Sequence, residues 1–111
     1  MKVKELIDAT GWDALTLIPD KQITSAYTCD LLSFAMANTQ SGTAWITVQS
    51  HVNVVAVASL TGCACVIIPC GTSVSEETLE AAKTKDVCIV SAPCSAYAAA
   101  ARLYRLGIGD I

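Results

Sequence analysis

Short unbroken apolar runs alternate along this chain with longer helix-like segments. The runs cover residues 23–28, 44–48, 64–68 and 87–91. They are rich in Ile, Val, Thr and aromatic residues, and each ends at a polar or Pro/Gly-containing turn. Their ends fall at an interval of roughly twenty residues, the period of a strand–helix unit rather than of a solenoid repeat. Strands apolar on both faces belong in a mainly parallel sheet covered on each side by helices. The pattern therefore predicts a three-layer α/β/α fold built from successive βα units.

The helices are predicted over residues 31–37, 50–60, 75–83 and 95–106. Asp30 is placed as the N-cap of the first, and Ser73 or Ser75 caps the third. Glu76 and Glu77 suit the first turn of that third helix, and Lys83 its last. Asn38 is expected in a left-handed conformation after its helix, while Gly62 and Gly107 act as stops. Ahead of these units, residues 2–9 read as an amphipathic helix stopped at Gly11, and residues 15–18 as a strand ended by Pro19. The chain is read as a single domain over 1–111, with a helix and lead-in strand in 1–22 and the core in 23–111.

Right-handed crossovers bring every strand-to-helix junction to one rim of a parallel sheet, where α/β proteins bind ligands. That rim is expected to carry Asp30, Gln49, Ser50, His51, Asn53, Gly71 and Ser91 as ligand-binding residues. His51, the only histidine, can act there as a hydrogen-bond donor, a base or a metal ligand, or can simply bond locally. Asp30 can orient His51 or accept from a ribose hydroxyl, or serve only as a cap. Backbone amides near Ser50, Ser73 and Ser95 can hold a phosphate or carboxylate, and Gly71 permits close backbone approach. No GxGxxG or P-loop spacing is present, so no cofactor is assigned. Rim membership supplies no distances from which a catalytic set can be built, so the reading is non-catalytic.

Composition changes the picture in one respect. Charged residues make up 15% of the chain, against about 25% in an average domain, and none occurs from Leu31 to Ser75. A uniformly charged monomer surface cannot be made from such a stretch. A homodimer is expected, with a larger partner protein as the alternative. The net charge of −3, with basic residues placed toward the two ends, argues against nucleic acid. Membrane insertion is not expected either: the apolar region 51–70 is interrupted by Asn53, Ser59, Thr61, Gly62 and Pro69. A cytoplasmic location is the expectation.

Of the six cysteines, Cys65 and Cys88 lie within predicted strands as packing residues, and Cys63 lies at a turn. Cys29, Cys70 and Cys94 each follow a strand, so together with His51 they form the alternative of a metal or redox site. The chain has no CxxC pair to strengthen that alternative.

From Tyr27 onward the sequence resembles the DRTGG domain family. The resemblance lies in Tyr27-Thr28-Cys29-Asp30-Leu31-Leu32-Ser33, Trp45-Ile46-Thr47-Val48-Gln49 and His51-Val52-Asn53. It continues through Glu76-Glu77-Thr78-Leu79 and from Ser95-Ala96-Tyr97 to Leu103. That family resembles the N-terminal domain of HPr kinase/phosphorylase and occurs in phosphotransacetylases and in inorganic pyrophosphatases regulated through CBS pairs. The sequence looks like the small stand-alone branch of that family, part of which is associated with iron-hydrogenase gene clusters. The resemblance implies a dimerising regulatory α/β module, with docking on a hydrogenase-related redox enzyme as the alternative. Where the family motif has Asp-Arg this chain has Ser50-His51, and where it has Thr-Gly-Gly this chain has Pro69-Cys70-Gly71.

Overall fold

Each apolar run forms a strand, and their hydrogen bonds join them into one sheet. The computed structural model describes residues 1–111. In chain order the elements are α1 (Val3–Thr10), β1 (Asp13–Ala14), β2 (Ser25–Thr28), α2 (Leu32–Asn38), β3 (Thr43–Ile46) and α3 (Val52–Thr61). They continue with β4 (Cys65–Ile68), α4 (Glu76–Lys85), β5 (Ile89–Ser91) and α5 (Ala96–Arg105). The sheet order is β1-β5-β4-β3-β2, parallel from β2 to β5, with β1 antiparallel at the edge beside β5.

Two apolar clusters show the three layers. Ala44, Ile46, Cys65, Ile67, Cys88 and Val90 face Val3 and Leu6 of α1 and Ala99 and Leu103 of α5. The alternate residues Trp45, Val66, Ile68 and Ile89 face Ala35 of α2, Val54, Val55 and Ala58 of α3, and Ala82 of α4. Period-two alternation sends successive side chains to opposite faces, so a strand covered on both sides must be apolar throughout. Both β3 and β4 are buried at every residue. Each large aliphatic side chain sealed in this way contributes about 1.5–3 kcal/mol.

Adjacent parallel strands follow one another in sequence. Each crossover steps in the same direction, so α2, α3 and α4 line one face. The strand order from β2 to β5 never reverses, and the crevice that a reversal opens in other α/β sheets is absent there. No helix is long and apolar enough to cross a membrane.

Four local expectations are corrected. The strand over 15–18 is not formed: β1 is only Asp13–Ala14. After one more backbone bond, Leu15 N to Ile89 O at 2.8 Å, the Thr16 hydroxyl replaces the ladder. It accepts from Ile89 N at 3.0 Å and donates to Val87 O at 3.1 Å, and the chain leaves the sheet. Asp30 is not a cap, since the N-cap of α2 is Leu31, without a side-chain bond. Asn38 is not left-handed. It ends α2 and donates from Nδ2 to Phe34 O at 2.9 Å. The helix expected from Ser50 begins after His51, which is its N-cap.

Candidate functional site

The best-defined polar cluster on the rim joins the end of β2 to the end of β3. Asp30 leaves β2 with its carboxylate turned across the sheet. Its Oδ1 accepts from Thr47 Oγ1 at 3.0 Å and from Val48 N at 2.9 Å. Val48 therefore bonds to a side chain in place of a neighbouring strand, and β3 ends at Ile46 rather than at the expected Val48. Gln49 completes the link by donating from Nε2 to Asp30 O at 3.0 Å. Trp45, fully buried, donates from Nε1 to Cys29 O at 2.9 Å and holds the same turn from beneath.

His51 opens α3. Its Nδ1 accepts from Asn53 N at 3.2 Å, an N-cap bond of the kind Ser or Asn usually makes. This arrangement needs Nδ1 without a proton, and it leaves Nε2 facing outward. The imidazole is exposed, as are Asp30, Gln49 and Asn53. Ser50 is anchored through its carbonyl, which accepts from Thr78 Oγ1 at 3.0 Å and so ties the start of α4 to the same junction. The Ser50 hydroxyl, His51 Nε2 and the Asn53 side-chain amide make no hydrogen bond within the chain, which leaves three polar groups free at one turn.

Gly71 and Ser91 sit apart from this group, at the ends of β4 and β5. Gly71 N donates to Ala92 O at 3.0 Å and Cys70 N to Cys94 O at 2.7 Å, folding one turn over the other. Cys70 and Gly71 both have positive φ, at 63° and 59°. A Cβ added at Gly71 would meet nothing within 4 Å, so backbone conformation, not close approach, is what glycine satisfies there. Ser91 pairs with Ile68 on one side and Asp13 on the other.

The alternative metal set does not assemble. No three His, Cys, Asp or Glu residues gather in a group able to hold a metal ion. Cys29, His51, Cys70 and Cys94 follow four successive strands, and neighbouring strands lie roughly 4.8 Å apart, so the four are spread along the rim. Only Cys70 and Cys94 are joined by a backbone bond. Burial raises the thiols of Cys63, Cys65 and Cys88 above the ordinary range, Cys88 to about 11.

Two cavities lie away from the rim cluster. One of about 580 Å³ runs between α5, the edge of β2 and the C-terminal segment, with Tyr97, Ala100, Ala101 and Tyr104 along its helical wall and Asp110 at its side. The segment reaches this edge through Ala26 N, which donates to Gly109 O at 2.8 Å. A second, of about 330 Å³, lies between the chain after β1 and the end of α4, at Leu17, Ile18 and Lys83. The first went unassigned in the sequence, although Tyr97, Ala100, Ala101 and Tyr104 at i, i+3, i+4 and i+7 mark one helix face.

No protein family and no curated protein matches the chain by sequence. The fold does match a solved structure. That structure contains the CBS and DRTGG domains of the regulatory region of Clostridium perfringens pyrophosphatase, complexed with its activator diadenosine tetraphosphate. The TM-score is 0.70 at 15% identity, covering 90% of this chain and 44% of the other. The chain thus spans less than half the length of the structure it matches. The likeness is one of fold, and the fold is DRTGG-like.

Proposed function

We propose that this chain is a non-catalytic regulatory module of DRTGG type, homodimeric, which binds a small anionic or nucleotide-like ligand at the strand-end rim. The observation that carries this reading is the β3–α3 junction, where half-buried Ser50 and exposed His51 and Asn53 leave Oγ, Nε2 and the side-chain amide unpaired beside a braced Asp30. Braced polar groups cost less to organise around a ligand than mobile ones. In a nucleotide, the three unpaired groups suit phosphate oxygens, and the free oxygen of Asp30 suits a ribose hydroxyl. Gly71 and Ser91 would flank a ligand long enough to reach the neighbouring strand ends. The pyrophosphatase region, part of which shares the fold, is bound to a dinucleoside polyphosphate, which makes adenine nucleotides the first class to try.

Thermal unfolding against adenosine mono-, di- and triphosphates, diadenosine tetraphosphate and simple phosphometabolites tests the reading. Ligand at about 100 times Kd stabilises by about 2.7 kcal/mol. The expected result is stabilisation by at least one compound, reduced at least tenfold in affinity by Asp30→Ala. If none stabilises the wild type, the ligand-binding reading is lost. If Tyr97→Ala weakens binding and Asp30→Ala does not, the ligand belongs in the α5 cavity instead.

A further inference from the structure

We infer that Cys70 and Cys94 form a reversible disulfide, which locks the turn after β4 to the turn after β5. This does not depend on the ligand-binding reading above. Thr72 N donates to Pro69 O at 3.2 Å across Cys70 and Gly71, and both of these residues have positive φ. That is the pattern of a type I′ turn, in which Asn-Gly is the favoured central pair. The chain has only two non-glycine residues at positive φ, Cys70 and Asp86. Asp86 closes α4, and a short polar side chain tolerates the left-handed region. A thiol has no such compensation, so Cys70 holds a strained conformation that Asn would relieve. Cys70 is also exposed, whereas cysteine is among the most often buried of residues. Strain and exposure together point to chemistry at the sulfur rather than to packing.

Cys94 supplies the partner. Its carbonyl accepts from Cys70 N at 2.7 Å, and Gly71 N bonds Ala92 O at 3.0 Å alongside. A backbone bond of that length holds the two α-carbons about 5–6 Å apart, within the span of a disulfide. Cys94 is half-buried, so a reagent meets the pair first at exposed Cys70. The other thiols do not qualify. Cys65 and Cys88 are neighbours through Val66 N to Cys88 O at 2.8 Å, but both are sealed in the core. Cys29 follows β2, two strand spacings or about 10 Å from the end of β4. Oxidised glutathione, a small disulfide, serves as the oxidant. The Cys70 thiolate attacks one glutathione sulfur, forming a mixed disulfide and releasing the first glutathione thiolate. The Cys94 thiolate then attacks the Cys70 sulfur, the bond to glutathione breaks, and the second glutathione leaves. The two protein thiols lose two electrons and their protons, and one glutathione disulfide becomes two thiols.

Incubation of the whole native chain with oxidised glutathione, followed by alkylation of the remaining thiols and peptide mass mapping, tests this. Two of the six alkylation sites should be lost together, with the mass of two hydrogens, and the peptides holding Cys70 and Cys94 should be joined. Dithiothreitol should restore both sites. In Cys94→Ser the reaction should stop with one glutathione on Cys70. The wild type alone decides the matter, so a variant that fails to fold costs nothing. Glutathione that stays on Cys70 in the wild type overturns the inference. So does a bond from Cys70 to Cys29, a bond between two chains, or no loss of thiols at all.

Discussion

His51 shows how one side chain can hold two roles. Nδ1 caps α3 while Nε2 faces outward, so deleting the imidazole removes both functions together. His51→Ala should lower stability by about 0.5–2 kcal/mol through loss of the cap. His51→Ser restores a cap acceptor without restoring Nε2. Urea denaturation is expected to place His51→Ser near the wild type, while any ligand response at the junction is lost in both variants. Equal destabilisation of the two would mean that the cap bond contributes nothing. Asp30 likewise acts at residue scale, because the carboxylate that capping preference assigns to its own helix bonds instead to Thr47 and Val48 across the sheet. Capping preference is local, and it loses here to a backbone N–H that has no strand partner.

The buried thiols give a prediction of opposite character. Their folded state holds the proton more tightly than the unfolded chain does, because burial disfavours the thiolate. The stability they contribute is therefore complete below the ordinary thiol value of about 9 and is lost as pH rises toward the Cys88 value of about 11. Urea midpoints measured from pH 8 to pH 11 should fall, by about 2–3 kcal/mol for Cys88 alone. Cys88→Val should flatten that part of the curve. Native alkylation should label exposed Cys70 first and leave Cys63, Cys65 and Cys88 until the chain unfolds.

At the scale of elements, the edge between β1 and β5 depends on Thr16. Its hydroxyl bonds Ile89 N and Val87 O, and Ile89 is fully buried. Thr16→Val should cost about 1–3 kcal/mol by leaving a buried N–H unpaired, read as a lower urea midpoint and faster hydrogen exchange at Ile89. The turn before β3 depends on Gly42, where φ is +86° and an added Cβ would lie 2.5 Å from Thr24 Oγ1. Gly42→Ala should therefore destabilise by at least about 1 kcal/mol, shown by a lower thermal midpoint. Periodicity and Gly/Ser punctuation marked the long helices well, since Ser75 and Ser95 cap α4 and α5 and Gly62 closes α3. They failed at residues 15–18, where an apolar pattern carries no sign that one hydroxyl will substitute for the strand ladder.

For the whole molecule, the apolar runs themselves required a strand buried on both faces. A run such as Cys65–Ile68 has no polar side to offer water, so a sheet between helix layers is the arrangement that buries all of it. Composition required something further, because a chain without charge from Leu31 to Ser75 must keep part of that stretch from water by other means. These conclusions rest on local order and on totals, both of which sequence contains. Strand order is a matter of long-range pairing, and only the tertiary structure decided it. That order spreads Cys29, His51, Cys70 and Cys94 along the rim, parts Gly71 and Ser91 from the Asp30–His51 group, and leaves no crevice between β2 and β5. It also sets α5 against the sheet edge, where its tyrosines border the cavity of about 580 Å³. A shared rim follows from the βα pattern, but distances along the rim follow from which strands are neighbours.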